Sequence, residues 1–234
     1  MKKILFMTAI MVASLTAGAQ SRFDAGSFTL QPRLGGTGSM FVNAPDMKVD
    51  GKTIETTATG GEFIGIDAEY HVSRRFTIAA GVNYAAAGNG WKDYEVVDDD
   101  YGKLDVKEQA WKTNYINIPI TANWYVLKGF ALKAGVQFGF LTSAKEYMRG
   151  EGTAEGIDIT LTAEKSVKDD FNKFDISIPV GLSYEFKLPI VLDLRYNIGV
   201  SKLNKNDDID GTPLDGKTLS NIGATITIGY KFQL

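Results

Sequence analysis

The side chains that could carry chemistry are few. His71 is the single histidine and there is no cysteine, so thiolate metal sites, cysteine nucleophiles and disulfide frameworks are absent together. Glu69 stands two residues before His71, and an imidazole near a carboxylate is the least that general-base catalysis requires. No serine or cysteine nucleophile completes that pair in the sequence. Asn206-Asp-Asp-Ile-Asp-Gly211 has the shape of a calcium loop, but Asn206 fills its first ligand position and Lys217 its twelfth, where a bidentate Glu belongs. Asp98-Asp99-Asp100 reads as a solvated like-charge run. Gly35-Gly36-Thr37-Gly38 lacks the following helix that a phosphate loop needs. Catalytic, cofactor and metal sites are therefore not expected.

The formal charge of the 234 residues is −3, which argues against a nucleic-acid partner. Hydrophobic residues make up 44% and aromatics 11%, too much for a disordered chain. Lys2 and Lys3, an apolar run from Ile4 to Ala13 and Ala17-Gly18-Ala19 have the layout of a secretory signal peptide, residues 1–19, cleaved after Ala19. The expected mature domain is 20–234. Without Lys2 and Lys3 it holds 23 basic and 28 acidic side chains, a formal charge of −5.

What must position any site is a set of strands. From Phe174 to Phe186 every even position is large and apolar and the odd ones are small or polar. The same alternation runs through 28–34, 64–70, 76–86, 116–126, 130–140, 190–200 and 222–234. Period two over such lengths marks strands with two chemically different faces. Tight connections near 72–74, 127–129 and 187–189 alternate with long polar ones near 42–60, 88–110, 147–171 and 202–219. An all-β, eight-stranded antiparallel up-and-down transmembrane β-barrel has this asymmetry, with short periplasmic turns and long outer loops. A soluble barrel or sandwich is the alternative, with the apolar face inside.

In the membrane reading the odd face lines the lumen. It carries Arg33, Asp67, Glu69, Lys133, Asp175, Glu185, Asp193, Arg195 and Lys231, five acids against four bases. Eight strands enclose a space that side chains fill, so these groups read as an ion-pair network and not as a conducting path. Inward Gly35, Gly65, Gly81, Gly135, Gly139, Gly181, Gly199, Gly223 and Gly229 make room for the long cations. Tyr70, Phe76, Trp124, Phe130, Phe186, Tyr230 and Phe232 share the apolar parity near the short turns, as an interfacial girdle would. His71 falls at a periplasmic turn and reads as a solvated residue. Barrel enzymes acting on lipid acyl chains place such a His at the outer rim.

The second long loop carries seven acids against Lys92, Lys103 and Lys107, with Trp91, Tyr94 and Tyr101 as candidate exposed binding aromatics. Ile157 to Leu161 alternates, so the third loop is expected to extend its strands as a hairpin above the membrane. Gly229, Tyr230, Phe232 and Leu234 resemble the terminal signal read by the barrel-assembly machinery.

Tyr115-Ile-Asn-Ile-Pro-Ile, Lys133-Ala-Gly-Val-Gln-Phe-Gly139, Phe174-Asp-Ile-Ser-Ile-Pro and Asp193-Leu-Arg-Tyr-Asn-Ile-Gly199 resemble consecutive strands of the PorT-like outer-membrane β-barrel proteins of Bacteroidetes-type bacteria. The resemblance covers roughly 60–234. It implies an outer-membrane location and, for the namesake, a part in type IX secretion; it implies no catalytic residues. The expected protein is a non-enzymatic barrel with a structural or surface-binding role. An accessory part in a secretion complex, a small pore and a lipid-modifying barrel enzyme are the alternatives. Expected partners are outer-membrane lipid, the assembly machinery during insertion, and a secretion complex or surface ligand.

Overall fold

The computed structural model describes Ser21 and residues 23–98, 102–154 and 157–234. The expected signal peptide, Tyr101, and Asp99 and Asp100 of the acidic run lie outside the described residues.

Eight strands close into a ring in chain order: β1 Phe28–Val42, β2 Thr59–His71, β3 Phe76–Trp91, β4 Gly102–Leu127, β5 Phe130–Ala154, β6 Phe174–Glu185, β7 Ile190–Gly199 and β8 Ser220–Tyr230. Every neighbouring pair is antiparallel, and β8 closes on β1 with Arg33 opposite Gly229 and Gly38 opposite Ala224. Phe232–Gln233 prolongs the seam against Thr29–Leu30. Closure leaves no unpaired edge in the ring, as a strand structure in lipid requires.

Parity decides between lipid and water. Leu34, Ile64, Ile78, Ile118, Leu132, Ile178, Leu194 and Ile228 all point outward and are exposed, whereas the odd positions between them turn into the lumen. A soluble barrel would bury that apolar band, and water-facing apolar patches rarely exceed a few hundred Å². The girdle aromatics Tyr70, Phe76, Trp124, Phe186, Tyr230 and Phe232 are exposed at the short-turn end. Gly129 supplies the left-handed residue of the tightest turn, with φ at 75°.

β4 and β5 run to 26 and 25 residues, about twice what a tilted transmembrane strand needs. The excess stands above the apolar band. Residues 102–110 and 147–154 are thus strand and not loop, because the ladder from Trp124–Leu132 continues to Lys103–Thr153 across two register shifts. Tyr94–Asp98 adds to β4 and Ile157–Ser166 to β5, so the hairpin expected in the third loop forms between β5 and Ile157–Ser166, at one side of a four-stranded outer sheet whose centre is β4 and β5. The first and fourth long connections each fold a small hairpin, Met47–Val49 with Lys52–Ile54 and Asp208–Ile209 with Thr212–Pro213.

Candidate functional site: a tiered lumen under an apolar cap

Four kinds of side chain are stacked along the barrel axis, and strand register sets their order. At the short-turn end the odd positions of β2, β4, β6 and the residue after β8 converge. Lys231 Nζ donates to Glu69 Oε2 at 2.6 Å, to Glu185 Oε1 at 2.5 Å and to the Tyr125 hydroxyl at 3.2 Å. Asn123 Nδ2 donates to Glu69 Oε1 at 3.0 Å, Thr77 donates to the same oxygen, and the Tyr125 hydroxyl donates to Glu185. This tier holds two carboxylates and one ammonium.

One layer higher, Arg195 bridges two carboxylates, with Nη2 at 2.9 Å from Asp67 Oδ2 and Nε at 2.8 Å from Asp193 Oδ1. Arg33 lies 3.2 Å from Asp67 and 3.5 Å from Asp193, and its guanidinium sits over the Phe63 ring at 4.7 Å. Lys133 Nζ lies 2.5 Å from Asp193 Oδ2. This tier holds three cations and two carboxylates. The two tiers therefore carry opposite single charges and cancel as a stack, which is how eight buried charges coexist in a low-dielectric interior. The space they need comes from glycine: a Cβ on Gly81 would run into the Asp67 carboxylate, and one on Gly181 would crowd Arg195 Cγ at 3.2 Å.

Asp175, expected in the network, is not part of it. It sits above the second tier and accepts the Ser201 hydroxyl, and none of its hydrogen bonds comes from a cation. Its layer is one of neutral polar groups, with Asn117 Nδ2 donating to Asn83 Oδ1 at 3.0 Å and Gln137 Nε2 to Ser177 Oγ at 3.3 Å. These groups line a cavity of about 40 Å³ together with Tyr115, Asn197 and Asn221, room enough for ordered water.

Above the cavity the outer parts of β1, β3 and β4 and the long connections supply an apolar cap. Phe41, Trp91, Trp111, Phe171, Leu203, Ile209, Leu214 and Leu219 form one buried cluster. Trp91, expected as an exposed binding aromatic, is 3% exposed: its ring meets Trp111 edge-on at 4.8 Å, and its Nε1 donates to Pro45 O at 3.0 Å. Tyr94 is half-buried against the same cluster and donates to Gln109 Oε1 at 2.6 Å. Three acids of the fourth connection are engaged within the protein. Asp207 accepts the Gly216 N–H, Asp208 the Gly211 N–H, and Asp210 pairs with Lys165. Among the described residues no group of three or more His, Asp or Glu side chains is arranged to hold a metal ion.

The other end is closed by residues preceding β1. His71, expected as a solvated turn residue, is fully buried. Ser27 O accepts its backbone N–H at 3.0 Å, its carbonyl accepts from Gly26 N at 2.7 Å, and Phe23 lies against its ring at 5.4 Å. Its Nε2 meets Thr29 Oγ1 at 3.3 Å. Sequence reasoning missed this because the covering residues, Ser21 and 23–27, are irregular and show no period.

Residues 18–205 match the family described as "Outer membrane protein beta-barrel domain". The fold is also similar to solved bacterial barrels. The attachment invasion locus protein Ail of Yersinia pestis shares 11% identity, covering 89% of this chain and 99% of that one, with a TM-score of 0.41. Outer membrane protein OprG of Pseudomonas aeruginosa shares 13%, covering 92% and 98%, with a TM-score of 0.39. Neisserial surface protein A shares 13%, covering 89% and 98%, with a TM-score of 0.38. No curated protein matches the chain.

Proposed function

The chain belongs to the outer membrane protein β-barrel domain family, and on that premise we propose that it is a non-enzymatic surface protein whose barrel anchors an outer binding structure. The observation that carries this reading is the stacked lumen. Two ion-paired tiers and an apolar cap occupy the axis where a porin keeps water. The single imidazole lies at the short-turn end with the Thr29 hydroxyl beside it, and both side chains are fully buried, so a substrate has no access to the pair. What remains available to a partner is the four-stranded outer sheet and the acidic connections around it.

Secretion and assembly enter the same reading. Residues 1–19 would be removed on export. Gly229, Tyr230, Phe232 and Leu234 would be read by the assembly machinery, a role supported by the pairing of Phe232–Gln233 with the start of β1. A second reading, an accessory part in a type IX-like secretion complex, is favoured by the resemblance of the strand motifs to those of PorT-like proteins.

Crosslinking in native outer membranes with a tag near Asp99 tests both. The surface reading expects a crosslinked partner that is lost when the outer sheet is cut back to Ala110 on β4 and Tyr147 on β5. Secretion proteins recovered at fixed ratio, with cargo export lost on deletion, would replace it with the second reading.

A further inference from the structure

The outer sheet has one unguarded edge. Ile157–Ser166 pairs with β5 on one side and has no strand on its other side among the described residues. Val167 N donates to Ala144 O at 3.0 Å in the same register, so the odd residues turn their backbone groups toward β5. Antiparallel alternation then turns the N–H and C=O of Asp158, Thr160, Thr162 and Glu164 to the free edge. Proteins blunt such edges with prolines, bulges, brevity or charge. The sheet's opposite edge, Tyr94–Asp98, has five residues and carries Glu95 and Asp98. The Ile157–Ser166 edge has ten residues and no proline, and Ile159 to Ala163 carries no charge.

We propose that this edge is a docking strand that takes an extended polypeptide by strand addition, which deepens the surface reading above and rests on it. The side chains specify the occupant. Ile159, Leu161 and Ala163 make one face, with Leu161 47% exposed. That face continues over Gly150 and Gly152 to Leu104, whose Cδ1 lies 2.9 Å from where a Gly150 Cβ would stand. Asp158, Thr160, Thr162 and Glu164 make the other face and are exposed. Glu164 is paired with Lys145, whereas among the described residues the Asp158 carboxylate meets no cation and accepts the Thr153 hydroxyl at 3.3 Å. The fitting strand is therefore apolar at alternate positions, with a basic residue opposite Asp158. Main-chain bonds hold it and alternate side chains select it. A second copy pairing antiparallel about Leu161 would set Asp158 against Glu164 and is disfavoured by like charge.

The test uses the full-length chain in detergent micelles, the peptide acetyl-Lys-Val-Thr-Val-Thr-Val-Lys-amide, and amide NMR. Saturable shifts and slowed exchange are expected at residues 158, 160, 162 and 164, with 94–98 unmoved. Thr162→Pro removes a donor from the free edge without touching the β5 ladder, and should weaken binding about ten-fold or more, whereas Thr162→Val leaves it unchanged. A twin peptide N-methylated at its five central residues should not bind, which keeps the test valid if the proline variant distorts the hairpin. Binding unaffected by N-methylation, shifts centred elsewhere, or no binding would overturn the proposal. If a native partner survives Thr162→Pro but is lost with the shortened outer sheet, the surface reading stands and the edge proposal falls.

Discussion

Lys231 Nζ lies 2.6 Å from Glu69 Oε2, and the pair reaches from the end of β8 over β1 to β2. It is a cross-brace over the seam where the ring closes. Both side chains are about 97% buried, and the same ammonium also serves Glu185 at 2.5 Å. One cation thus ties three strand ends together, and among the described residues no other cation pairs with either carboxylate.

Replacing Lys231 by Met should therefore leave two buried carboxylates facing each other. Breaking a buried pair by removing one partner costs about 3–5 kcal/mol. The expected result is a lower urea midpoint for the folded barrel in lipid vesicles. Adding Glu69→Gln and Glu185→Gln to Lys231→Met should restore much of the loss, because the uncompensated charge is then gone. A triple variant no more stable than the single would show that the tier is not held electrostatically.

The stack also predicts silence in planar bilayers. With Arg33, Lys133 and Arg195 locked onto Asp67 and Asp193, and the cap above them, the wild-type chain should give no stable single-channel steps. Regular unitary steps at 1 M KCl would contradict the filled lumen.

Gly81 faces the carboxylate that holds this second tier. Gly81→Ala drives a Cβ into Asp67 Oδ1, and small-to-large changes in a packed interior cost about 1–3 kcal/mol. Gly38→Ala, where a Cβ meets nothing within 4 Å, should be nearly neutral. Parallel urea titrations of the two variants check the contrast.

Period-two alternation made the ring legible in sequence because a lipid-facing strand must repeat its chemistry at every second residue. Eight of the nine lumen charges fell into two ion-paired tiers for the same reason: parity alone assigns the face. Parity does not assign height. Asp175 shares the inward face but stands a layer above the cations, and only register against β5, with Asp175 opposite Gly139, places it there. Trp91 and His71 were misread because each is buried by irregular chain. The apolar cap gathers single residues such as Phe41 at the end of β1 and Ile54, Phe171 and Leu203 from three separate connections, and no local pattern joins them.

Trp91 now makes a stability prediction in place of a binding one. Removing a fully buried Trp side chain costs about 3–5 kcal/mol. Trp91→Ala should lower the unfolding midpoint and release the cap, exposing Trp111 to quenching by iodide. The ladder between β3 and β4 in the membrane should keep its exchange protection, since its pairs from Phe76–Trp124 to Asn83–Asn117 lie below the cap.

Glu146 gives the outer sheet a pH dependence. It lies beyond the apolar band, half-buried; burial first, then a hydrogen bond with Asp210, hold its carboxyl above the ordinary value, while Gln109 Nε2 donates to it at 3.3 Å and opposes the shift. For an acid with a raised folded value the sign is fixed. Its stabilising share is full below the unfolded value and is lost as pH rises through the folded one. As pH rises through that folded value, the ionising Glu146 comes to strain the contact between β5 and the fourth connection, against the help that Lys165 gives Asp210. Glu146→Gln should slow amide exchange across 145–149 and 208–210 at pH 7 relative to wild type, and the two chains should converge as pH falls below 4. Equal exchange at both pH values would mean that solvent screens the site fully.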